Sequence, residues 1–205
     1  MWRDENILEH KKLAEYDVFV DKGQFAENKI PKGYKRISVH TVFDVKHDGR
    51  HRARVVADGH LTDIPLESVY AGVVSLRGIQ TCIFLAELNG MIPYAMDISS
   101  AYLEAYTTER VCIRAGPEFG DLEGHLLIVI KALYGLRTSG KMFIELLADC
   151  LINLGFTRSR AEDSIFMKRS DDGKVYEYVA TYCDDLCIIS KNPDRILHEL
   201  QHLFE

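Results

Sequence analysis

Hydrophobic positions cluster most clearly near the C-terminal end of the chain, on both sides of two adjacent aspartates. Residues 175–181 and 187–190 are rich in β-branched and aromatic side chains, which is typical of strands. They predict a hairpin with Asp184 and Asp185 at its bend. Two neighbouring carboxylates repel each other, so they stabilise nothing unless a cation lies close by. Without further evidence, an Asp-Asp pair is most simply an exposed acidic turn.

A second hairpin is predicted upstream, where residues 36–45 and 51–57 flank the turn sequence Asp48-Gly49. Arg52 and Arg54 are two residues apart on its second strand and therefore point to the same face. Two guanidinium groups side by side repel each other unless an anion bridges them, and a polyphosphate fits their geometry well. The alternative is a sheet edge protected by charge.

The remaining pattern mixes helices and strands. Residues 68–88 predict a helix with Ser68 as N-cap and Asn89-Gly90 as its stop, apolar on all sides and therefore packed behind a sheet. Further strands are predicted at 93–98, 111–114 and 164–167, and further helices at 142–154 and 194–204. Residues 126–131 form a short apolar run. Because no regular βαβ alternation appears, the predicted class is α+β. Residues 1–34 are expected to be an N-terminal arm or linker, and residues 35–205 one domain.

Composition narrows the possible classes of protein. The chain of 205 residues is 47% hydrophobic, enough for one domain with a real core. Its net charge of −6 differs from the net positive charge that is usual in a nucleic-acid-binding protein. Five cysteines without a C-x-x-C pair predict reduced thiols, hence an intracellular protein, whether cytoplasmic or nuclear. Neither a secretory signal nor a membrane span is expected.

A third carboxylate lies at the end of a predicted strand. Asp97 lies at the C-terminal end of the predicted strand 93–98, which Ser99 follows. A buried strand seldom ends in a carboxylate unless that group caps a helix or binds a ligand. Both interpretations, an N-cap for a helix beginning at Ser99 and a cation ligand, remain open on local grounds.

Four segments occur in an order that is informative as a set. They are residues 52–57 (Arg-Ala-Arg-Val-Val-Ala), 97–103 (Asp-Ile-Ser-Ser-Ala-Tyr-Leu), 131–136 (Lys-Ala-Leu-Tyr-Gly-Leu) and 182–185 (Tyr-Cys-Asp-Asp). In this order and spacing the chain resembles the reverse transcriptase of copia-type LTR retrotransposons. The resemblance covers most of residues 35–200.

This resemblance implies the fingers and palm of a right-hand polymerase, with an antiparallel palm sheet backed by helices. It implies RNA-directed DNA synthesis with two Mg²⁺ ions, for which Mn²⁺ can substitute, on an RNA or DNA template with a primer and dNTPs. The rest of a retroelement polyprotein is an implied partner. By resemblance, the catalytic and metal-binding residues are Asp97, Asp184 and Asp185. The residues implied to bind the dNTP are Arg52, Arg54, Ser100, Ala101 and Tyr102. The implied primer and template region comprises Tyr182, Cys183, Gly135, Arg137 and Thr138. Tyr102 matches the ring under the incoming sugar that excludes a 2′-hydroxyl.

Some positions depart from the family pattern. Thr138 stands where the family usually has a Gln that positions nucleotide and template, and Phe143 stands where it has a Trp. No thumb or RNase H domain is expected after residue 205. The alternative hypothesis is therefore a catalytically impaired relic of the same fold with at most weak nucleic-acid binding.

A rival motif lies near the C-terminus. His198, Glu199 and His202 satisfy H-E-x-x-H, which suits a zinc hydrolase. Catalytic zinc needs a third protein ligand, usually downstream, and only residues 203–205 follow. The apolar residues of the same segment also fit a helix that packs one face on a sheet.

Overall fold

Helices and strands are mixed along the chain without regular βαβ alternation, so the predicted α+β class is confirmed. The computed structural model describes residues 2–65 and 68–204. Its helices are α1 (Trp2–Glu15), α2 (Leu76–Leu88), α3 (Ala101–Glu104), α4 (Ser139–Asn153) and α5 (Pro193–Leu203). Its strands are β1 (Phe19–Gln24), β2 (Lys35–Arg36), β3 (Val39–Val45), β4 (His51–Ala57), β5 (Ile92–Asp97), β6 (Val111–Arg114), β7 (His125–Val129), β8 (Thr157–Arg158), β9 (Ile165–Arg169), β10 (Tyr176–Tyr182) and β11 (Asp185–Ser190).

The chain divides into two units. The first comprises Met1–Val69 and Tyr102–Phe143. It contains a four-stranded sheet of order β1-β7-β6-β2 and the separate two-stranded hairpin β3-β4. Its core is built from α1, the hairpin and the sheet, with buried side chains that include Leu13, Val55 and Leu127. The N-terminal segment supplies both α1 and the edge strand β1, which pairs with β7.

The second unit comprises Tyr70–Ala101 and Ile144–Glu205. Its centre is a five-stranded sheet of order β5-β11-β10-β9-β8, in which every neighbouring pair is antiparallel. Helices α2 and α5 pack on this sheet. The apolar pattern explains the arrangement, because the central strands β10 and β11 carry fully buried Val179, Ile188 and Ile189.

Both predicted hairpins are confirmed. Strands β3 and β4 pair along their whole length, and Gly49 supplies the positive φ (+82°) that their turn requires. Strands β10 and β11 pair up to Tyr182 and Asp185, which leaves a two-residue loop. In that loop Cys183 has φ +53°, the sign required at the first central position of a type II′ turn.

The predicted start of α2 was wrong. The helix begins at Leu76, not near Ser68, and its N-cap is Ser75, whose hydroxyl accepts a hydrogen bond from the Gly78 amide (3.0 Å). The distant Glu162 accepts hydrogen bonds from both the amide and the hydroxyl of Ser75. A contact across 87 residues therefore decides where this helix starts.

The other predicted helices are confirmed. The buried residues Phe143, Leu147 and Leu151 lie at four-residue spacing along α4, as the sequence predicts. Helix α5 covers residues 193–203, within one residue of the predicted bounds. No helix in the described part of the chain is long and apolar enough to cross a membrane.

Candidate active site

The sheet of the second unit brings Asp97, Asp184 and Asp185 to one end. Asp97 is the last residue of β5 and lies directly opposite Asp185, the first residue of the antiparallel strand β11. Residues opposed in this way have Cα atoms roughly 4.5–5.5 Å apart and side chains on the same face. The amide of Ile98 donates a hydrogen bond to the carbonyl oxygen of Asp184 (2.9 Å), so the pairing continues to the neighbouring aspartate. Backbone pairing therefore places these three residues at one end of the sheet.

Asp97 does not cap a helix at Ser99. The short helix α3 begins only at Ala101. The N-cap interpretation is therefore wrong, and the cation-ligand interpretation of Asp97 stays a prediction.

The electrostatics of this cluster are unbalanced. Burial raises the pKa of Asp185 above its ordinary value, and the negative charges of Asp184 and Asp97 raise it further. Among the described residues, no Lys, Arg or His side chain forms an ion pair with any of the three aspartates. Like charges held together without a partner are arranged for a cation.

The donor set suits Mg²⁺, which prefers carboxylate oxygens. In residues 2–65 and 68–204, however, no three His, Cys, Asp or Glu side chains already form a group that could hold a metal ion. The carboxylate chemistry suits the metal, and strand pairing places the three aspartates at one end of the sheet.

The other residues predicted around the aspartates flank them in the chain. Ser100 has φ +56°, and Ala101 is buried at the start of α3. Tyr182 ends β10 with its side chain 55% exposed, and Cys183 occupies the hairpin loop. Tyr182 is thus exposed and lies opposite Asp185 at the end of the hairpin.

The first unit holds a second group of predicted residues, centred on Tyr134. The Arg54 guanidinium lies 5.4 Å from the centroid of the Tyr134 ring, and the Tyr102 ring lies 5.1 Å from the same ring. The Nε atom of Arg54 is buried and has no hydrogen-bond partner among the described residues. Arg52 precedes it by two residues on β4 and is half-buried. This geometry leaves Arg54 able to take an anionic ligand.

Sequence reasoning did not assign a role to Tyr134. Its ring joins Arg54 and Tyr102, which are 48 residues apart in the chain. The aromatic residue inside the Leu-Tyr-Gly-Leu segment was the available signal, but nothing in the sequence said what it touches.

Residue 135 is a glycine because the loop that contains it must approach β4 closely. The Ala57 amide donates a hydrogen bond to the Tyr134 carbonyl oxygen (2.7 Å). Gly135 has φ +90°, and a Cβ atom there would overlap the carbonyl oxygen of Ala57. Gly59 is equally restricted, since its Cβ would meet the Gly135 carbonyl oxygen. The glycine predicted as part of the template region therefore has a definite packing role.

Arg137 and Thr138 are held by neighbours in the same unit. Arg137 donates to the carbonyl oxygen of His60 (3.2 Å), and its Nε is buried without a partner among the described residues. Thr138 is buried, and both its amide and its hydroxyl donate to one carboxylate oxygen of Glu109 (2.9 Å each). Its hydroxyl is thus committed within the protein.

The H-E-x-x-H segment lies on α5. Its apolar residues Ile196, Leu197 and Leu200 are buried, while His198 and His202 are exposed. No metal-binding group forms around these histidines within the described residues. The helix therefore has the packing role that the sequence also allowed, and the zinc hydrolase hypothesis is not favoured.

Comparison with known proteins agrees with the earlier resemblance. Residues 24–204 match the family model described as reverse transcriptase (RNA-dependent DNA polymerase). Two Gag-Pol polyproteins of transposons from Saccharomyces cerevisiae, Ty1-DR4 and Ty1-MR1, are 27% and 28% identical over 209 aligned residues. These alignments cover 99% of this chain but only 12% and 11% of the relatives, so the chain spans about a ninth of their length. The resemblance to a copia-type element is confirmed, and the chain belongs to the reverse transcriptase family.

Proposed function

We propose that this chain is the polymerase domain of a copia-type retroelement and catalyses RNA-directed DNA synthesis. In the reaction, the 3′-oxygen of a primer attacks the α-phosphorus of a dNTP. A new phosphodiester bond forms, the bond to the pyrophosphate breaks, and the hydroxyl proton is lost. The second unit would correspond to the palm and the first unit to the fingers.

The observation that carries this proposal is the pairing of Asp97 with Asp185, with Asp184 next to it. Asp97 and Asp184 would be the main ligands of two Mg²⁺ ions, with Asp185 completing the cluster. When bound, the ions would lower the pKa of the primer 3′-hydroxyl and neutralise charge on the triphosphate. The carboxylates provide the negative oxygen atoms that this chemistry requires.

The residues of the first unit would bind the nucleotide. The guanidinium of Arg54, and with it Arg52, would donate hydrogen bonds to the triphosphate, while the Tyr134 ring fixes the plane of the Arg54 group. The Tyr102 ring would lie under the deoxyribose and exclude a 2′-hydroxyl. By resemblance, the backbone at Ser100 and Ala101, which belong to the second unit, would also face the phosphates.

Position 138 has a different role in this proposal from the one that the family Gln suggests. Because the Thr138 hydroxyl donates to Glu109, it supports the start of α4 and does not contact the nucleotide. Gly135 and Arg137 remain to form the template side of the site. The relic hypothesis is not favoured, since the three carboxylates and Arg54 are all retained.

Primer extension tests the proposal. The full chain is incubated with a primed RNA or DNA template, dNTPs and either Mg²⁺ or EDTA. We expect Mg²⁺-dependent extension that falls by about a thousandfold or more in Asp184→Asn, because a metal ligand is lost.

The matched control is Asp171→Asn, which removes an exposed carboxylate elsewhere in the same unit that pairs with Arg195. It should extend primers at the wild-type rate. Absence of extension by the wild-type chain on both templates, or full activity of Asp184→Asn, would refute the proposed function.

A further inference from the structure

We infer that α1 is a positioning element for the nucleotide site, because it holds the hairpin that carries Arg54. This inference rests on the proposed function. Helix α1 precedes the residues 24–204 that match the family model. All the contacts that support the inference lie within the first unit.

The first contact is at the outer edge of β4. Glu9 is a charged residue only 4% exposed, and such a residue needs partners. One carboxylate oxygen accepts a hydrogen bond from the Val55 amide (3.3 Å), and the other pairs with Lys12 (3.3 Å). Val55 is the residue after Arg54, so the buried carboxylate fixes the backbone next to the guanidinium.

The same edge of β4 is held again two residues later. The Ala57 amide, which points to the same side as the Val55 amide, donates to the Tyr134 carbonyl oxygen. Arg54 therefore precedes two successive amides on this edge of β4, those of Val55 and Ala57. The first is bound by Glu9 of α1 and the second by the loop that contains Tyr134. Loss of the Glu9 contact would leave this edge of β4 held at Ala57 but not at Val55.

Helix α1 also contacts the far end of the hairpin. The Trp2 ring packs edge-on against Phe43 (5.3 Å between centroids) and against His51 (4.3 Å). Between Trp2 and Glu9, the Asn6 side-chain oxygen accepts a hydrogen bond from the Thr41 hydroxyl (3.2 Å). Positions 2, 6 and 9 lie at four- and three-residue spacing, hence on one face of the helix.

The hairpin needs such support because it has only two strands. A two-stranded hairpin alone is marginally stable in water. Val42, Phe43 and Val45 of β3 are about half exposed, so β3 has little apolar packing of its own. The contacts of β4 with α1 supply the packing that the two-stranded hairpin lacks.

The test compares Glu9→Ala with Glu15→Ala in the full chain. Both variants remove a carboxylate from α1 that pairs with a lysine, but Glu15 is exposed and does not contact the hairpin in the described structure. Hydrogen exchange of residues 51–57 measures how firmly β4 is held. Steady-state primer extension separates KM for the dNTP from kcat.

We expect faster exchange across β4 and a KM about tenfold higher in Glu9→Ala, with kcat within about twofold of wild type. Glu15→Ala should match wild type in both measurements. Glu9→Gln should restore most of the wild-type KM, because its amide oxygen still accepts the Val55 hydrogen bond.

Several results would overturn the inference. Unchanged exchange in Glu9→Ala would show that α1 does not hold β4, and unchanged KM in an active enzyme would show that it does not position the nucleotide site. A wild-type chain that extends no primer would refute the proposed function and, with it, the positioning role of α1. Hydrogen exchange of residues 51–57 would then still show whether Glu9 holds β4.

Discussion

The two hairpins of this protein carry opposite charges and are supported in different ways. The acidic hairpin β10-β11 lies inside a five-stranded sheet, and residues such as Val179 and Ile188 are completely buried along its strands. The arginine hairpin β3-β4 forms a sheet of only two strands. It is held by Glu9 at Val55 and by the Tyr134 carbonyl at Ala57.

The difference shows how each group of charges keeps its position. The aspartates are positioned by backbone pairing across a packed core, and only core disruption would displace them. The arginines depend on a few contacts at one strand edge, so single substitutions outside the site can move them. We therefore expect the arginine hairpin to be the more sensitive of the two to substitutions at a distance.

The largest effect on stability should come from Gly135→Ala. The new Cβ would overlap the Ala57 carbonyl oxygen and also require φ +90°, so β4 must move away from the loop. We expect a loss of about 3 kcal/mol or more in the free energy of unfolding, measured by urea denaturation.

Gly173→Ala is the matched control, because Gly173 also has positive φ (+67°) but nothing lies within 4 Å of a Cβ there. Gly173→Ala should lower the free energy of unfolding by only about 1–2 kcal/mol. Equal losses in the two variants would show that the close approach of the loop to β4 contributes nothing.

An intermediate effect is expected from Tyr134→Ala. Without the ring, the Arg54 guanidinium loses its stacking partner and Tyr102 loses an aromatic neighbour. We predict that KM for the dNTP rises about tenfold, measured by primer extension. Tyr134→Phe keeps the ring and should stay close to wild type, whereas a KM unchanged in both variants would remove Tyr134 from the nucleotide site.

The smallest effect concerns the pH dependence of stability at the acidic hairpin. The pKa of Asp185 is raised by burial and by Asp184 and Asp97, so the folded protein holds this proton more tightly than the unfolded chain does. Stability therefore falls as pH rises from the ordinary carboxyl value of 3.8 through the raised pKa. Asp185→Asn should gain stability relative to wild type across this window.

Asp172→Asn should show the opposite sign. Hydrogen bonds from the Ser170 hydroxyl and the Lys174 amide lower the pKa of Asp172 to about 2, so its stabilising contribution is present above 3.8 and lost as pH falls towards 2. Denaturation curves from pH 2 to 7 compare the two variants. The same sign of change in both would contradict the charge repulsion described at Asp185.

The sequence predicted local elements well because their signals are local. Alternating apolar residues and Asp48-Gly49 predicted the arginine hairpin, and the apolar runs around Asp184 predicted the acidic one. The convergence of Asp97 with Asp184 and Asp185 was expected only through the family resemblance, and the register that pairs Asp97 with Asp185 was not predicted, since strand order is a long-range property.

What the sequence missed depends on contacts between distant residues. Ser75 caps α2 with help from Glu162, and Tyr134 joins Arg54 to Tyr102. Helix α1 gave too weak an apolar pattern to reveal that Glu9 is buried against β4. In each case the deciding partner lies at least 32 residues away, beyond the reach of local periodicity.

Cleavage of the backbone by bound iron tests most directly whether the three aspartates share a cation. Fe²⁺ replaces Mg²⁺ in the full chain, and ascorbate with peroxide then cuts the backbone next to the ion. We expect cuts around both Asp97 and Asp184 that excess Mg²⁺ suppresses and that Asp97→Asn abolishes at both places. Cuts at only one of the two segments, or cuts at both that survive in Asp97→Asn, would contradict a shared ion site.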